Sequence, residues 1–333
     1  MRSLEALRSG KPSFYPDQSV YAAYACAEFG LAFADLDGGT GLVFSVSSAA
    51  KNLHFGAGRA SWYPQNNATA STLASDKYFA NRILAQAGIA TLGGDYFFLH
   101  ERHRAHRPAG HERSDALDYL KKLDGTAFVK PLTGSRGDFA QAVHDEASLK
   151  AYLGEVARYY DAILMQPLTS GIEYRIFLLD GEVLYAARKH PPAISGDGVS
   201  TIRALLAAHN DALPSRGLSP VPLADASDAA LDAVLPKGER YDIPGRMNLS
   251  AGGTMVLEAA PAADVATLAG KAAAALGLRV AAVDLFTDIG GETDAMAVIE
   301  VNSNPSIRLL EQSNRGDLIL RIWHHTLSAT GLL

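Results

Sequence analysis

Cysteine is almost absent: Cys26 is the single one in 333 residues. No internal disulfide framework can form, and such usage suits a reducing compartment. No stretch reaches about 18 uninterrupted apolar residues, as a membrane span needs, and the first residues lack a secretory pattern. The expectation is a soluble cytoplasmic protein that engages no membrane. Long basic runs are also missing and the formal charge is −6, which argues against nucleic acid as a partner. What remains is 48% hydrophobic residues and 30 glycines. That is enough to bury a sizeable core and to make many tight turns.

Periodicity divides the chain into interleaved helices and strands. Residues 18–30 have helical spacing, and the β-like runs 31–36 and 41–46 flank Asp37-Gly38-Gly39. Residues 75–88 read as one amphipathic helix with Tyr78, Phe79, Ile83, Leu84 and Ala87 on its apolar face. Residues 100–113, rich in His and Arg, read as a surface loop. Further helices are expected at 116–123, 148–159, 201–209, 262–276 and 316–329. Strands are expected at 127–130, 162–166, 280–286 and 295–301. A hairpin joins 174–179 to 182–187 through Asp180-Gly181. Hairpin-linked strands among helices predict an α+β fold rather than a doubly wound sheet.

Four constellations bear chemistry. Lys130 ends a strand and is followed by Thr133-Gly134-Ser135-Arg136-Gly137. Backbone N–H groups of such a loop, with a compact positive charge, suit a nucleoside triphosphate; no Gly-Lys-Ser/Thr phosphate loop occurs. Asp284 ends one apolar strand, and Glu300 and Asn302 alternate along the next. If the two strands pair, three oxygen donors meet on one face and suit Mg²⁺; an exposed polar edge is the other reading. Gln166-Pro167-Leu168-Thr169 precedes Gly171-Ile172-Glu173-Tyr174-Arg175. A strand that stops and restarts presents backbone groups to an adenine edge, with Glu173 beside ribose hydroxyls; a turn with a surface acid explains the same text. Arg188-Lys189-His190, Arg246 and the Asn248–Thr254 loop are basic and polar enough for phosphate or carboxylate.

Other runs surround these four. They are Phe55-Gly56-Ala57-Gly58-Arg59, Ala74-Ser75-Asp76-Lys77, Gly196-Asp197-Gly198-Val199-Ser200-Thr201-Ile202 and Val234-Leu235-Pro236-Lys237-Gly238-Glu239. Taken in order over about residues 54–312, the text resembles the ATP-grasp superfamily. More narrowly, it is similar to the ATP-grasp module of cyanophycin synthetases and bifunctional glutathione synthetases.

The resemblance implies a nucleotide clasped between two β-rich subdomains. It also implies ATP-dependent joining of a small carboxylate to an amine through an acyl phosphate, with amino acids or peptides as substrates. Related outcomes are transfer to a thiol, phosphorylation alone, or nucleotide binding without catalysis. Lys77 and Lys130 match the phosphate-holding lysines, and Gly134, Ser135 and Gly137 lie in the flap above them. Gln166, where a glutamate is common, and Leu168 meet adenine, and Glu173 meets ribose. Asp284, Glu300 and Asn302 match ligands of Mg²⁺, two ions in all. Arg188, Arg246 and Asn248 fall beside the transferred phosphate or acyl group.

The same resemblance divides the chain into a small α/β region, 1–74, and an ATP-grasp domain, 75–333. Within the latter, a lid covers about 90–165 and a metal-binding part about 166–333. A homodimer or homotetramer is implied. Two departures stand out: Ser306 replaces a common glycine, and residues 1–53 match neither relative.

Overall fold

Strand alternation, hairpin turns and three apolar helical faces build the chain into layers. The computed structural model describes residues 3–12, 14–56, 62–134, 137–214, 228–243 and 253–333. It begins with helices α1 (Leu4–Arg8) and α2 (Asp17–Phe29) and the strands β1 (Ala32–Asp35), β2 (Val43–Ser47) and β3 (Asn52–Gly56). These strands form an antiparallel sheet in the order β1-β2-β3. Helices α3 (Ala68–Ser75) and α4 (Lys77–Gln86) follow.

The next unit contains β4 (Asp95–Phe98), α5 (Arg113–Lys122), β5 (Ala127–Pro131), β6 (Gln141–Val143), α6 (Glu146–Val156) and β7 (Ala162–Gln166). Its antiparallel sheet has the order β4-β7-β5-β6. One face is covered by α5 and α6 through Ala116, Leu120, Leu149, Leu153 and Val156.

The central antiparallel sheet is built from β8 (Ile172–Leu179), β9 (Glu182–His190) and three later strands. A small lobe intervenes: β10 (Ala193–Ser195), α7 (Ile202–Ala212), α8 (Asp228–Leu231) and β11 (Arg240–Asp242). Then come β12 (Thr254–Glu258), α9 (Ala263–Ala275), β13 (Val280–Thr287) and β14 (Ala297–Asn302), giving the order β12-β9-β8-β13-β14. Helices α10 (Arg308–Gln312) and α11 (Gly316–Ala329) complete the described chain. Among the described residues, no helix is long and apolar enough to cross a membrane.

The two faces of the central sheet carry different loads. Ile176, Leu178, Ala186, Ala281, Val283, Leu285 and Val301 pack beneath α3, α4 and α9. The opposite face is divided along its length. Phe177, Tyr185, Val280 and Ala282 join a core with Tyr21, Phe44, Trp62, Tyr63 and Trp323, so the N-terminal sheet and α11 cover that end. Arg8 fastens the same region by donating to both Glu311 oxygens at 2.7 and 2.6 Å. The other end of this face carries polar side chains.

The α+β expectation matches this arrangement, and the last helix covers Gly316–Ala329 as the periodicity predicts. The hairpin turn also matches: Asp180 and Gly181 both have positive φ, 49° and 86°, as a tight two-residue turn requires. Three local expectations are corrected. The helix expected over 75–88 is present as α4 but starts at Lys77, because the Asp76 carboxylate caps it by accepting from the N–H groups of Tyr78 and Phe79 at 3.0 Å, and Ser75 ends α3. Capping sets the helix start there. Phe79 lies exposed, while Ala80, Asn81 and Leu84 are buried. Asp284 is internal to β13, which continues to Thr287.

Candidate active site

Period-two alternation collects the polar end of the central sheet. On β13 and β14, Asp284 is directly opposite Glu300, and Ala282 opposite Asn302, so both carboxylates and the amide share one face. On the other side of β13, Asp284 pairs with Arg175 and Phe286 with Glu173 of β8. Lys189 of β9 reaches the same face.

These charges are bonded to one another. Arg175 grips Asp284 bidentately, Nε on Oδ1 and a terminal nitrogen on Oδ2, both at 2.8 Å. Lys189 Nζ donates to Asp284 Oδ2 at 2.9 Å and also to Glu173. The side chains of Asp284, Glu173, Lys189 and Arg175 are 1%, 9%, 10% and 15% exposed. Burial works against ionised Asp284, but Arg175 and Lys189 outweigh it and hold the carboxyl well below its ordinary range. Burial pushes the Glu173 carboxyl up, opposed by Lys189.

Lys130 enters from the four-stranded sheet, on β5, and is 5% exposed. Burial pulls its ammonium down to about 8, against the support of Glu300, while Lys77 adds to the fall. Lys130 therefore stands within electrostatic reach of groups on the central sheet. Lys77, the first residue of α4, donates to the Gly134 carbonyl at 2.9 Å and so touches the start of the glycine-rich loop after β5. Gly137 lies within that loop with φ 67°. Ser135, Arg246 and Asn248 lie outside the described residues.

Gln166, at the end of β7, is fully buried and donates Nε2 to the Gly93 carbonyl at 2.8 Å. Its Oε1 is buried without a hydrogen-bond partner, which is costly unless a donor arrives. Leu168 is exposed two residues later. Gly94 braces the same corner: with φ 106°, a Cβ there would fall 2.4 Å from the Met165 carbonyl and 2.8 Å from Gln166 Cγ. Gly94→Ala is expected to cost more than about 1 kcal/mol, read as a lowered melting temperature, and to weaken nucleotide binding by displacing Gln166.

Arg188 is placed differently from its expectation. It pairs with Tyr174 and with Val256, on the helix-covered face, away from Asp284. Lys189 occupies the site in its stead. Lys189 was named only as part of the basic run Arg188-Lys189-His190 and Arg175 only as the end of the run from Gly171, and neither was given a role of its own, although Arg175 stands two residues beyond Glu173 on one strand. Of the histidine-rich loop, His100, His103 and His106 are exposed, and His111 stacks on Tyr96 with centroids 4.1 Å apart.

The oxygen donors fit a divalent cation by their chemistry. Asp284 accepts three hydrogen bonds, which leaves about one of its four lone-pair directions. The Glu300 carboxylate accepts from the Asn302 amide at 3.3 Å. Among the described residues, no three His, Cys, Asp or Glu side chains form a ready-made metal cluster; the set here is two carboxylates and an amide.

A bifunctional glutathione synthetase from Pasteurella multocida superposes on 95% of this chain and 44% of its own, with a TM-score of 0.53 at 17% identity. The chain has the ATP-grasp fold. The superposition takes in most of the N-terminal region that the sequence comparison by motif left unmatched. In sequence, the chain is 30% identical over 230 residues to the glutathione biosynthesis bifunctional protein of Streptococcus mutans, covering 60% of this chain and 30% of that protein. It is 27% identical over 269 residues to the cyanophycin synthetase of Synechocystis sp., covering 73% and 29%. The chain thus spans about a third of the length of the curated relatives it matches. No family model matches it.

Proposed function

We propose that this ATP-grasp chain is an ADP-forming carboxylate–amine ligase acting on amino acids or a small peptide. The observation that carries the reading is the meeting of two lysines and the lid sheet with a row of acids on the central sheet. Lys130 lies within electrostatic reach of Glu300, Glu173 and Asp284. Lysines can hold the phosphates of ATP there, and Glu173 the ribose. The orphaned Gln166 Oε1 would accept from the exocyclic amino group of adenine, with Leu168 alongside.

Asp284, Glu300 and Asn302 would hold Mg²⁺, with two ions proposed; when bound, it neutralises phosphate charge. A substrate carboxylate oxygen attacks the γ-phosphorus, and the bond to the ADP oxygen breaks. The amine nitrogen then attacks the acyl carbon, phosphate leaves, and the nitrogen gives up a proton. Positioning and charge neutralisation suffice for such transfers, in keeping with a site of lysines, arginine and carboxylates. Arg246 and Asn248 are proposed to face the acyl end; for Arg188 the register favours Lys189 instead. Cytoplasmic residence suits the single, buried Cys26. Assembly as a homodimer or homotetramer is read out by light scattering.

The test is ADP release across paired amino acids and small carboxylates, with mass spectrometry of products. A ligase releases ADP with both partners and yields an amide. ATP binding without ADP release over the whole panel would overturn the reading.

The depressed Lys130 gives a pH dependence. Phosphates require its proton, which is held below about pH 8 and lost above it. ATP affinity is expected to fall by up to about tenfold per pH unit beyond that point. Calorimetry at pH 9 in two buffers should register proton uptake, and Lys130→Arg should flatten the profile. Equal wild-type affinity at pH 7 and 9 would remove Lys130 from the phosphates.

A further inference from the structure

A free divalent cation approaching Asp284 meets a carboxylate already in use. Arg175 occupies both of its oxygens, and Lys189 adds a third bond while spanning to Glu173. Charges of the bonded four cancel: Glu173 and Asp284 against Arg175 and Lys189. Adding Glu300 from the neighbouring strand and Lys130 from the lid leaves the balance unchanged. Nothing in this arrangement offers net negative charge to a lone cation, although the oxygen donors suit one. The polyanionic tail of a nucleotide would reverse that balance.

We propose that Lys189 is a resident counter-ion that keeps divalent metal off Asp284 until a nucleotide brings its phosphates. This rests on the assignment of Asp284, Glu300 and Asn302 as metal donors. Lys189 is therefore a positioning residue that sets the order of binding: metal enters with the nucleotide rather than ahead of it. The geometry separates its role from that of Arg175. Arg175 binds Asp284 as a planar fork and makes the bonds a buried carboxylate needs. Lys189 shares one ammonium between two carboxylates on different strands, so its bond to Asp284 can be given up while Glu173 retains it. A point charge on a flexible stem can make that shift, whereas a guanidinium fork is held at both prongs.

The experiment titrates Mn²⁺ as the probe, without nucleotide, and counts free ion by electron paramagnetic resonance. Lys189→Gln is expected to bind Mn²⁺ at least about tenfold more tightly than wild type, since a cation beside the ligating oxygen has gone. Lys189→Arg, which restores the charge, should return to the weak wild-type value; a purely structural role would not follow charge in this way. With ADP present, the gap between wild type and Lys189→Gln should shrink.

Should Lys189→Gln fail to fold, the pair Glu173→Gln with Lys189→Gln removes the carboxylate left unpaired and carries the same expectation. Unchanged Mn²⁺ affinity in a folded Lys189→Gln protein overturns the inference. Adding Glu300→Gln separates the two levels. If Glu300→Gln weakens Mn²⁺ binding with ADP while Lys189→Gln changes nothing, the metal site stands and the counter-ion role falls. If Glu300→Gln has no effect either, the metal assignment itself fails.

Discussion

Glu300→Gln should lower substrate-dependent ADP release by about 10³-fold or more while leaving the melting temperature within about a degree of wild type. The two halves follow from one observation. Glu300 is half-buried and accepts a long hydrogen bond from Asn302. Replacing an oxygen by an amide nitrogen there breaks no tight pair and opens no cavity, so stability has little to lose. The chemistry loses a hard anionic donor beside Asp284, at the point where the phosphates would need neutralising. Steady-state ADP release and a thermal melt on the same preparation check both halves. Full activity in the folded variant would remove the metal from Glu300.

Arg175→Met is expected to behave in the opposite manner, with stability falling first. Its guanidinium makes two of the three bonds that compensate Asp284, a carboxylate 1% exposed within an internal strand. Removing one partner of a buried pair typically costs about 3–5 kcal/mol, because the remaining charge has lost its compensation. The diagnostic comparison is the double variant Arg175→Met with Asp284→Asn. It removes both charges and should regain most of the loss, giving a large coupling energy between the two sites. Denaturant unfolding of the four proteins in this cycle measures it. Additive losses would mean that the pair is not the unit of stability.

Much of this arrangement was legible before folding. Alternation along Glu300-Val301-Asn302 placed two donors on one face, and β13 pairs with β14 so that Asp284 faces Glu300. The strand carrying Lys130, the Asp180-Gly181 turn and the final helix were also readable, because each depends on local spacing and turn chemistry. Local rules failed where one side chain competes with a regular pattern. Asp76 moved the start of an expected helix to Lys77 by capping α4.

The choice between Arg188 and Lys189 shows what local rules cannot reach. Counted regularly from the closing pair Leu179 and Glu182, a two-residue hairpin sets Glu173 opposite Arg188. A register shift between Phe177 and Leu178 moves the pairing by one residue. That shift turns Arg188 to the helix-covered face and brings Lys189 to the acids, since alternation sends neighbours to opposite faces.

The sequence by itself determined the α+β layering, the strands that carry the acids and the order of the lysine and carboxylate motifs. These follow from periodicities of two and 3.6 residues that any stretch of chain expresses alone. Only the tertiary structure decided which cations compensate Asp284 and how the N-terminal sheet closes one end of the central sheet's face. Those outcomes depend on the register of β8 on β9 and of β8 on β13, and register is set by the packing of both faces of the sheet together.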